Sequence, residues 1–155
     1  MTKTSILFVC LGNICRSPVA EGLLRKRADE GGLDIVTDSA GTGDWHIGSP
    51  PQQGSQDVAR RHGLDISGLR ARQVTRADWT RYTHIIALDA SNLADLDEMR
   101  PDDATAELLQ LMTLTEAGAE DHDVLDPYGM GPEAFDRMYA QIDAGVAALL
   151  ERLLE

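Results

Sequence analysis

The sequence predicts an α/β fold with a mostly parallel sheet, because strand signals alternate with helix signals along it. Two runs carry most of this: Ser5-Ile6-Leu7-Phe8-Val9 and His84-Ile85-Ile86-Ala87-Leu88. Both are short and nearly continuously apolar, which suits strands buried on both faces. The third observation is a helix signal directly after the first run, where Ser17-Pro18 offers an N-cap and a first-turn proline.

The remaining elements follow in order. Val19, Ala20, Leu23, Leu24 and Ala28 give the first helix an apolar face, and Gly31-Gly32 stops it. Leu33 to Ser39 reads as a second strand, and Ala40 to Pro51, rich in Gly, Ser and Pro, as a loop holding Trp45. Gln52 to His62 reads as a helix halted by Gly63, Asn92 to Met99 as a short helix ending before Pro101, and Glu107 to Met112 as a fourth strand. Thr113 to Met130 is a long acidic loop, a type of segment that is often functional. Phe135, Met138, Tyr139, Ile142, Val146, Leu149, Leu150 and Leu153 recur at spacings of three and four, which predicts a final amphipathic helix.

Bulk properties narrow the function. The 155 residues, 43% of them hydrophobic, suit one domain spanning 1–155 with a normal core. No apolar run approaches the ~20 residues of a membrane span. Lys3 precedes an apolar run too short for a secretory signal, and no small-residue cleavage site follows, so a cytoplasmic location is expected. The net charge of −12 is uneven: residues 1–81 carry +2 and residues 82–155 carry −14. Such a balance repels nucleic acid and anionic membranes, so neither is expected as a partner. Two cysteines, Cys10 and Cys15, are too few for a disulfide scaffold. No second ligand pair completes a zinc site, and neither a metal nor a cofactor is expected.

The chemistry concentrates in Cys10-Leu11-Gly12-Asn13-Ile14-Cys15-Arg16-Ser17-Pro18. This segment joins a buried strand to a helix N-terminus, where unpaired backbone N–H groups and the helix dipole bind anions. Gly12 and Asn13 tolerate the left-handed backbone of a tightly curled loop. The planar fork of Arg16 matches phosphate oxygens. The same positive groups favour the thiolate of Cys10, the nucleophilic form of the side chain. Free cysteines are otherwise commonly small buried hydrophobes, but C-x5-R-S-P between strand and helix points to a phosphate loop built of Leu11, Gly12, Asn13, Ile14, Cys15 and Arg16. A Walker nucleotide loop is excluded, since G-x4-G-K-[ST] is absent.

These residues resemble the low-molecular-weight protein tyrosine phosphatases. The resemblance recurs at Asp38-Ser39-Ala40-Gly41, Asp44-Trp45, Ala71-Arg72-Gln73-Val74, Asp89-Ala90-Ser91-Asn92-Leu93 and Asp126-Pro127-Tyr128-Gly129, covering nearly the whole chain. It implies a three-layer sandwich with a central four-stranded parallel sheet flanked by helices. It implies that Cys10 is the nucleophile, passing through a phosphocysteine, and that Arg16 clamps the phosphate and transition state. Ser17 would stabilise the Cys10 thiolate. Asn13, held by a network reaching Ser39, would fix the strained loop. Asp126 would serve as general acid and then base, worth ~10²–10⁴-fold. Read alone, Asp126 is one solvated charge among many, and Trp45 could equally be core.

By the same resemblance, Trp45 and Tyr128 would wall a slot for a phosphotyrosine protein or a small aryl phosphate. Cys15 would form a reversible disulfide that shields Cys10, or simply pack in the loop. Asp89, at a strand end, reads as a structural anchor. A monomer or weak self-association is expected. Two departures stand out: Gly129 replaces an aromatic of some relatives, which opens the slot, and Leu69 replaces a histidine of many, which removes a supporting polar contact. Arsenate reductase on the same fold would need further cysteines to relay a disulfide away from the nucleophile, and the chain has none beyond Cys15. Phosphoarginine phosphatase is associated with threonine at the Ile14 position. A non-catalytic phospho-ligand module would lack Cys10 or Asp126, and both are present.

Overall fold

Strand β1 (Ser5–Cys10) is buried along its whole length, and neighbours pair with it on both sides in parallel. These coordinates are a computed structural model that describes residues 3–155; Met1 and Thr2, at the head of the expected domain, lie outside the described residues. β2 (Val36–Gly41) pairs on one edge of β1 and β3 (His84–Ala87) on the other, and β4 (Glu107–Gln110) pairs with β3. The order is β2-β1-β3-β4, all parallel, as the sequence resemblance implies.

Alternation along β1 splits the core in two. Ile6 and Phe8 pack with α1 (Arg16–Glu30), α2 (Gln53–Arg61) and α5 (Pro132–Leu153). Leu7 and Val9 face the other way, toward Trp79 of the short α3 (Asp78–Arg81) and Leu96 of α4 (Ala90–Met99). Helices therefore cover both faces of the sheet. The predicted stripe on α5 is real: Phe135, Met138, Ile142, Val146 and Leu149 are buried, each side chain contributing roughly 1.5–3 kcal/mol.

Four element boundaries differ from expectation, each for a local reason. Ser17 is not the N-cap of α1; Cys15 holds that position, and the Ser17 hydroxyl turns to the Cys10 sulfur. β2 starts at Val36, because Leu33 donates its N–H back to Ala28 and closes the end of α1. β4 stops at Gln110, and Leu111–Leu114 forms a 3-10 turn. α3 has no signature in the sequence: only four residues long, it is held by Asp78, which accepts from Thr75 N–H and from Arg72.

The carboxyl ends of the two central strands meet at one place. Cys10 ends β1, and Asp89 follows β3 by two residues. Ligands of open parallel sheets bind at this kind of junction.

Candidate active site

The loop after β1 curls tightly enough that Asn13 adopts φ 58°, the only positive φ of a non-glycine among the described residues. Asn13 is buried, and its side chain is used completely. Its Oδ1 accepts the Arg72 backbone N–H at 3.0 Å, which fixes the orientation of the amide. Its Nδ2 then donates to Ser17 Oγ at 2.8 Å and to Ser39 Oγ at 2.9 Å. Ser39 Oγ donates in turn to Glu21 Oε1 at 2.7 Å, and Arg25 pairs with the other oxygen of Glu21 at 2.5 Å.

This chain has a direction. A carboxylate only accepts, so Ser39 spends its proton on Glu21 and accepts from Asn13. Ser17 likewise accepts from Asn13, which leaves its O–H to point at the Cys10 sulfur 3.0 Å away. The buried network thus presents a hydrogen-bond donor to a thiolate at position 10. Glu21 and Arg72 complete it through residues distant in sequence, so no local pattern reveals them. Leu69, the departure noted above, packs against the apolar core instead of joining the network.

Arg16, at the start of α1, is almost wholly buried. Its guanidinium donates to Asp89 Oδ2 at 2.6 Å and to the Val124 carbonyl at 3.0 Å. Burial works against its charge, but the Cys10 sulfur, Asp89 and Asp126 outweigh that and raise its pKa. The other guanidinium nitrogen lies 3.8 Å from Asp126 Oδ2. Asp89 was read as an anchor from sequence; it anchors Arg16 as well as α4, whose Asn92 N–H it caps at 2.7 Å.

Asp126 sits in the long loop between β4 and α5, with its carboxylate half exposed. The loop is tied down on both sides. Val124 N–H donates to Leu88 O, which extends the end of β3. Leu125 N–H donates to Gln141 Oε1, and Ala90 N–H to Asp123 Oδ1. Tyr128 N–H donates back to Asp126 Oδ1 at 3.2 Å. Beyond it, Gly129 takes φ +78°, a backbone conformation that any side chain would disfavour.

Cys10, Leu11, Gly12, Ile14, Cys15, Arg16, Trp45, Asp126 and Tyr128 line one cavity of about 250 Å³. Trp45 and Tyr128 are 69% and 57% exposed, so both stand as walls and neither belongs to the core. The structure adds His46, whose ring centroid is 6.0 Å from that of Tyr128. Nothing about His46 in its Gly-rich loop separates it from a solvated histidine. Burial, then the nearby Cys10 and Asp126, push the Cys15 thiol up to about 12. It therefore stays a protonated thiol at neutral pH. Sulfur, guanidinium and carboxylate around one cavity can together accept, hold and release a phosphoryl group.

Known proteins match the chain over most of its length. A family profile described as low molecular weight phosphotyrosine protein phosphatase covers residues 5–155. The low molecular weight protein-tyrosine-phosphatase YfkJ of Bacillus subtilis is 43% identical over 148 residues, covering 94% of this chain and 93% of its own. The Schizosaccharomyces pombe low molecular weight phosphotyrosine protein phosphatase is 36% identical, with 92% of each chain covered. Among solved structures, Bacillus subtilis YfkJ superposes with TM-score 0.91 at 40% identity, covering 99% of this chain and 96% of that one. A drosophila arginine phosphatase superposes with TM-score 0.92 at 32% identity, covering 97% and 98%. Sequence and fold thus agree with the site, and this chain belongs to the low molecular weight phosphotyrosine protein phosphatase family.

Proposed function

We propose that the chain is one phosphatase domain that hydrolyses phosphotyrosine monoesters through a phosphocysteine on Cys10. The observation that carries this reading is the placement of the Cys10 sulfur, the Arg16 guanidinium and the Asp126 carboxylate around one cavity walled by aromatic side chains. The Cys10 thiolate attacks phosphorus while Arg16 and the N–H groups of the loop from Leu11 to Cys15 hold the phosphoryl oxygens. The bond from phosphorus to the tyrosyl oxygen breaks, and its electron pair stays on that oxygen, which takes a proton from Asp126. Asp126, now a carboxylate, removes a proton from water as the water attacks phosphorus. The P–S bond breaks with its electrons returning to sulfur, and phosphate leaves.

Two substitutions test these roles. Cys10→Ser is expected to abolish turnover while inorganic phosphate still binds; substantial remaining activity would remove Cys10 as nucleophile. Asp126→Asn is expected to slow an aryl phosphate with a poor leaving group far more than one with a good leaving group. Equal slowing would argue against general acid catalysis.

The arginine phosphatase among the structural neighbours makes phosphoarginine the second substrate to compare. Assays of phosphotyrosine, phosphoarginine and phosphoserine peptides in parallel separate the readings, with phosphotyrosine expected to lead. In the same proposal the chain acts in the cytoplasm as a monomer or weak associate, and Cys15 shields Cys10. Peroxide oxidises Cys10 to a sulfenic acid, and condensation with the Cys15 thiol releases water and leaves a disulfide. Peptide mapping after mild peroxide should find that disulfide; sulfinic acid on Cys10 alone would exclude it.

A further inference from the structure

A second depression, about 440 Å³, opens beside the catalytic cavity. Leu11 and Trp45 belong to both and form the ridge between them. Its far side is the last turn of α4, where Asp95, Glu98 and Met99 fall at the spacing of one helix face. Leu11, Trp45 and Met99 are among the large hydrophobic side chains left exposed, and with Thr42 and Gly43 they make up the uncharged part of the lining. Asp95 and Glu98 are exposed, and neither has an ion-pair partner among the described residues. An apolar trough ending in two free carboxylates has a definite complement: a side chain with a long hydrocarbon stem and a cationic head.

The position of Trp45 is not incidental. A methyl group on Gly43 would fall 1.9 Å from indole Cζ3, so the ring lies directly on the Gly43 backbone. Held against Gly43 in this way, the exposed indole is a wall for both depressions. It can carry a guanidinium beside it by cation–π attraction.

We propose that this trough is a specificity subsite for the polypeptide substrate, taking the residue that adjoins the phosphotyrosine and preferring arginine or lysine there. The inference rests on the adjoining cavity being the phosphotyrosine slot. The substrate's dianion would face Arg16 while its neighbouring cation faces Asp95 and Glu98. An acidic residue in the trough would meet two like charges beside an apolar wall, so it is selected against. The preference comes from a local patch and not from the protein's overall negative charge, which is screened beyond ~8 Å at physiological salt.

The test measures kcat/KM on short phosphotyrosine peptides carrying Arg, Ala or Glu on either side of the phosphotyrosine, with p-nitrophenyl phosphate as a substrate that has no neighbour. On one side at least, the wild-type enzyme should favour Arg over Glu by roughly tenfold, since two exposed ion pairs each supply a few-fold. Asp95→Asn with Glu98→Gln should bring the ratio to about one and leave p-nitrophenyl phosphate hydrolysis unchanged. Asp95→Lys with Glu98→Lys should invert it. Glu151→Gln with Glu155→Gln, which removes equal charge at the far end of α5, should leave the ratio intact. Equal rates on Arg and Glu peptides for the wild type would overturn the subsite. So would loss of the preference in the α5 variant, which would assign it to the general field. Failure to hydrolyse p-nitrophenyl phosphate and every peptide would instead overturn the phosphatase reading beneath it.

Discussion

The Asp89 carboxylate holds Arg16 with one oxygen, at 2.6 Å, and caps α4 with the other. One side chain therefore sets both the cavity-lining guanidinium and the start of a helix. Asparagine is as good a cap as aspartate but carries no charge. Asp89→Asn is expected to lower kcat/KM on p-nitrophenyl phosphate by ~10-fold, since a hydrogen bond to a charged group is worth about 1.5–3 kcal/mol. Inhibition by inorganic phosphate should weaken in parallel. Asp89→Ala loses the cap too and should unfold more readily than Asp89→Asn by ~1 kcal/mol. Unchanged kinetics in Asp89→Asn would mean that the Val124 carbonyl alone orients Arg16.

Glu21 touches no substrate, yet it takes the Ser39 proton and so anchors the outer end of the network that reaches Ser17 through Asn13. In Glu21→Gln the amide can donate to Ser39 as well as accept, so Ser39 holds the Asn13 side chain less firmly, and Asn13 in turn holds the Ser17 hydroxyl less firmly against the Cys10 sulfur. The expected result is a kcat several-fold lower with KM nearly constant. A fall in thermal stability with normal kcat would give Glu21 a purely structural part.

The buried Cys15 thiol has an alkaline signature. Its pKa rises from 9.0 to about 12 on folding, so the folded state disfavours the thiolate that the unfolded chain forms above pH 9. The stability this represents is fully present below pH 9 and is lost between pH 9 and 12, at up to ~1.4 kcal/mol per pH unit. Tyr82, raised from 10.0 to about 12 first by burial and then by its bond to Asp38, adds a loss of the same sign above pH 10. Urea titrations from pH 8 to 11 should show Cys15→Ala flattening the decline between pH 9 and 10, where tyrosine does not yet contribute. A decline identical to wild type would contradict the burial argument.

Gly43 carries no chemistry but supports Trp45. Gly43→Ala should displace the indole, raise KM for aryl phosphates several-fold and shift the emission of the exposed tryptophan. The other tryptophan, Trp79, is buried beneath the sheet and provides a fixed background. An unchanged spectrum and KM would show that the indole can tilt away without loss.

Local pattern made much of this molecule legible. Continuous apolar runs marked β1 and β3, three-and-four spacing marked α5, and the Cys10 to Arg16 spacing marked the loop that lines the cavity. Distant contacts did not show through. Asp89, Glu21 and Arg72 take their roles from partners 18 to 73 positions away, and each would pass for an ordinary surface charge or cap. Ser17 misled for a related reason: its residue type suits an N-cap, but tertiary geometry gives its hydroxyl a sulfur to bond. α3 is too short to display a period, and its four residues hold through Asp78.

The Arg16 brace has a consequence for the order in which the enzyme comes into being. Cys10 and Arg16 are made before the groups that orient the guanidinium, Asp89 and the Val124 carbonyl. Asp126 follows, and Gln141 of the final helix is needed to pin its loop. A nascent chain therefore carries Cys10 without the groups that surround it in the folded cavity until synthesis has passed Gln141. Chains truncated before Gln141 should be inert toward phosphate esters rather than weakly active.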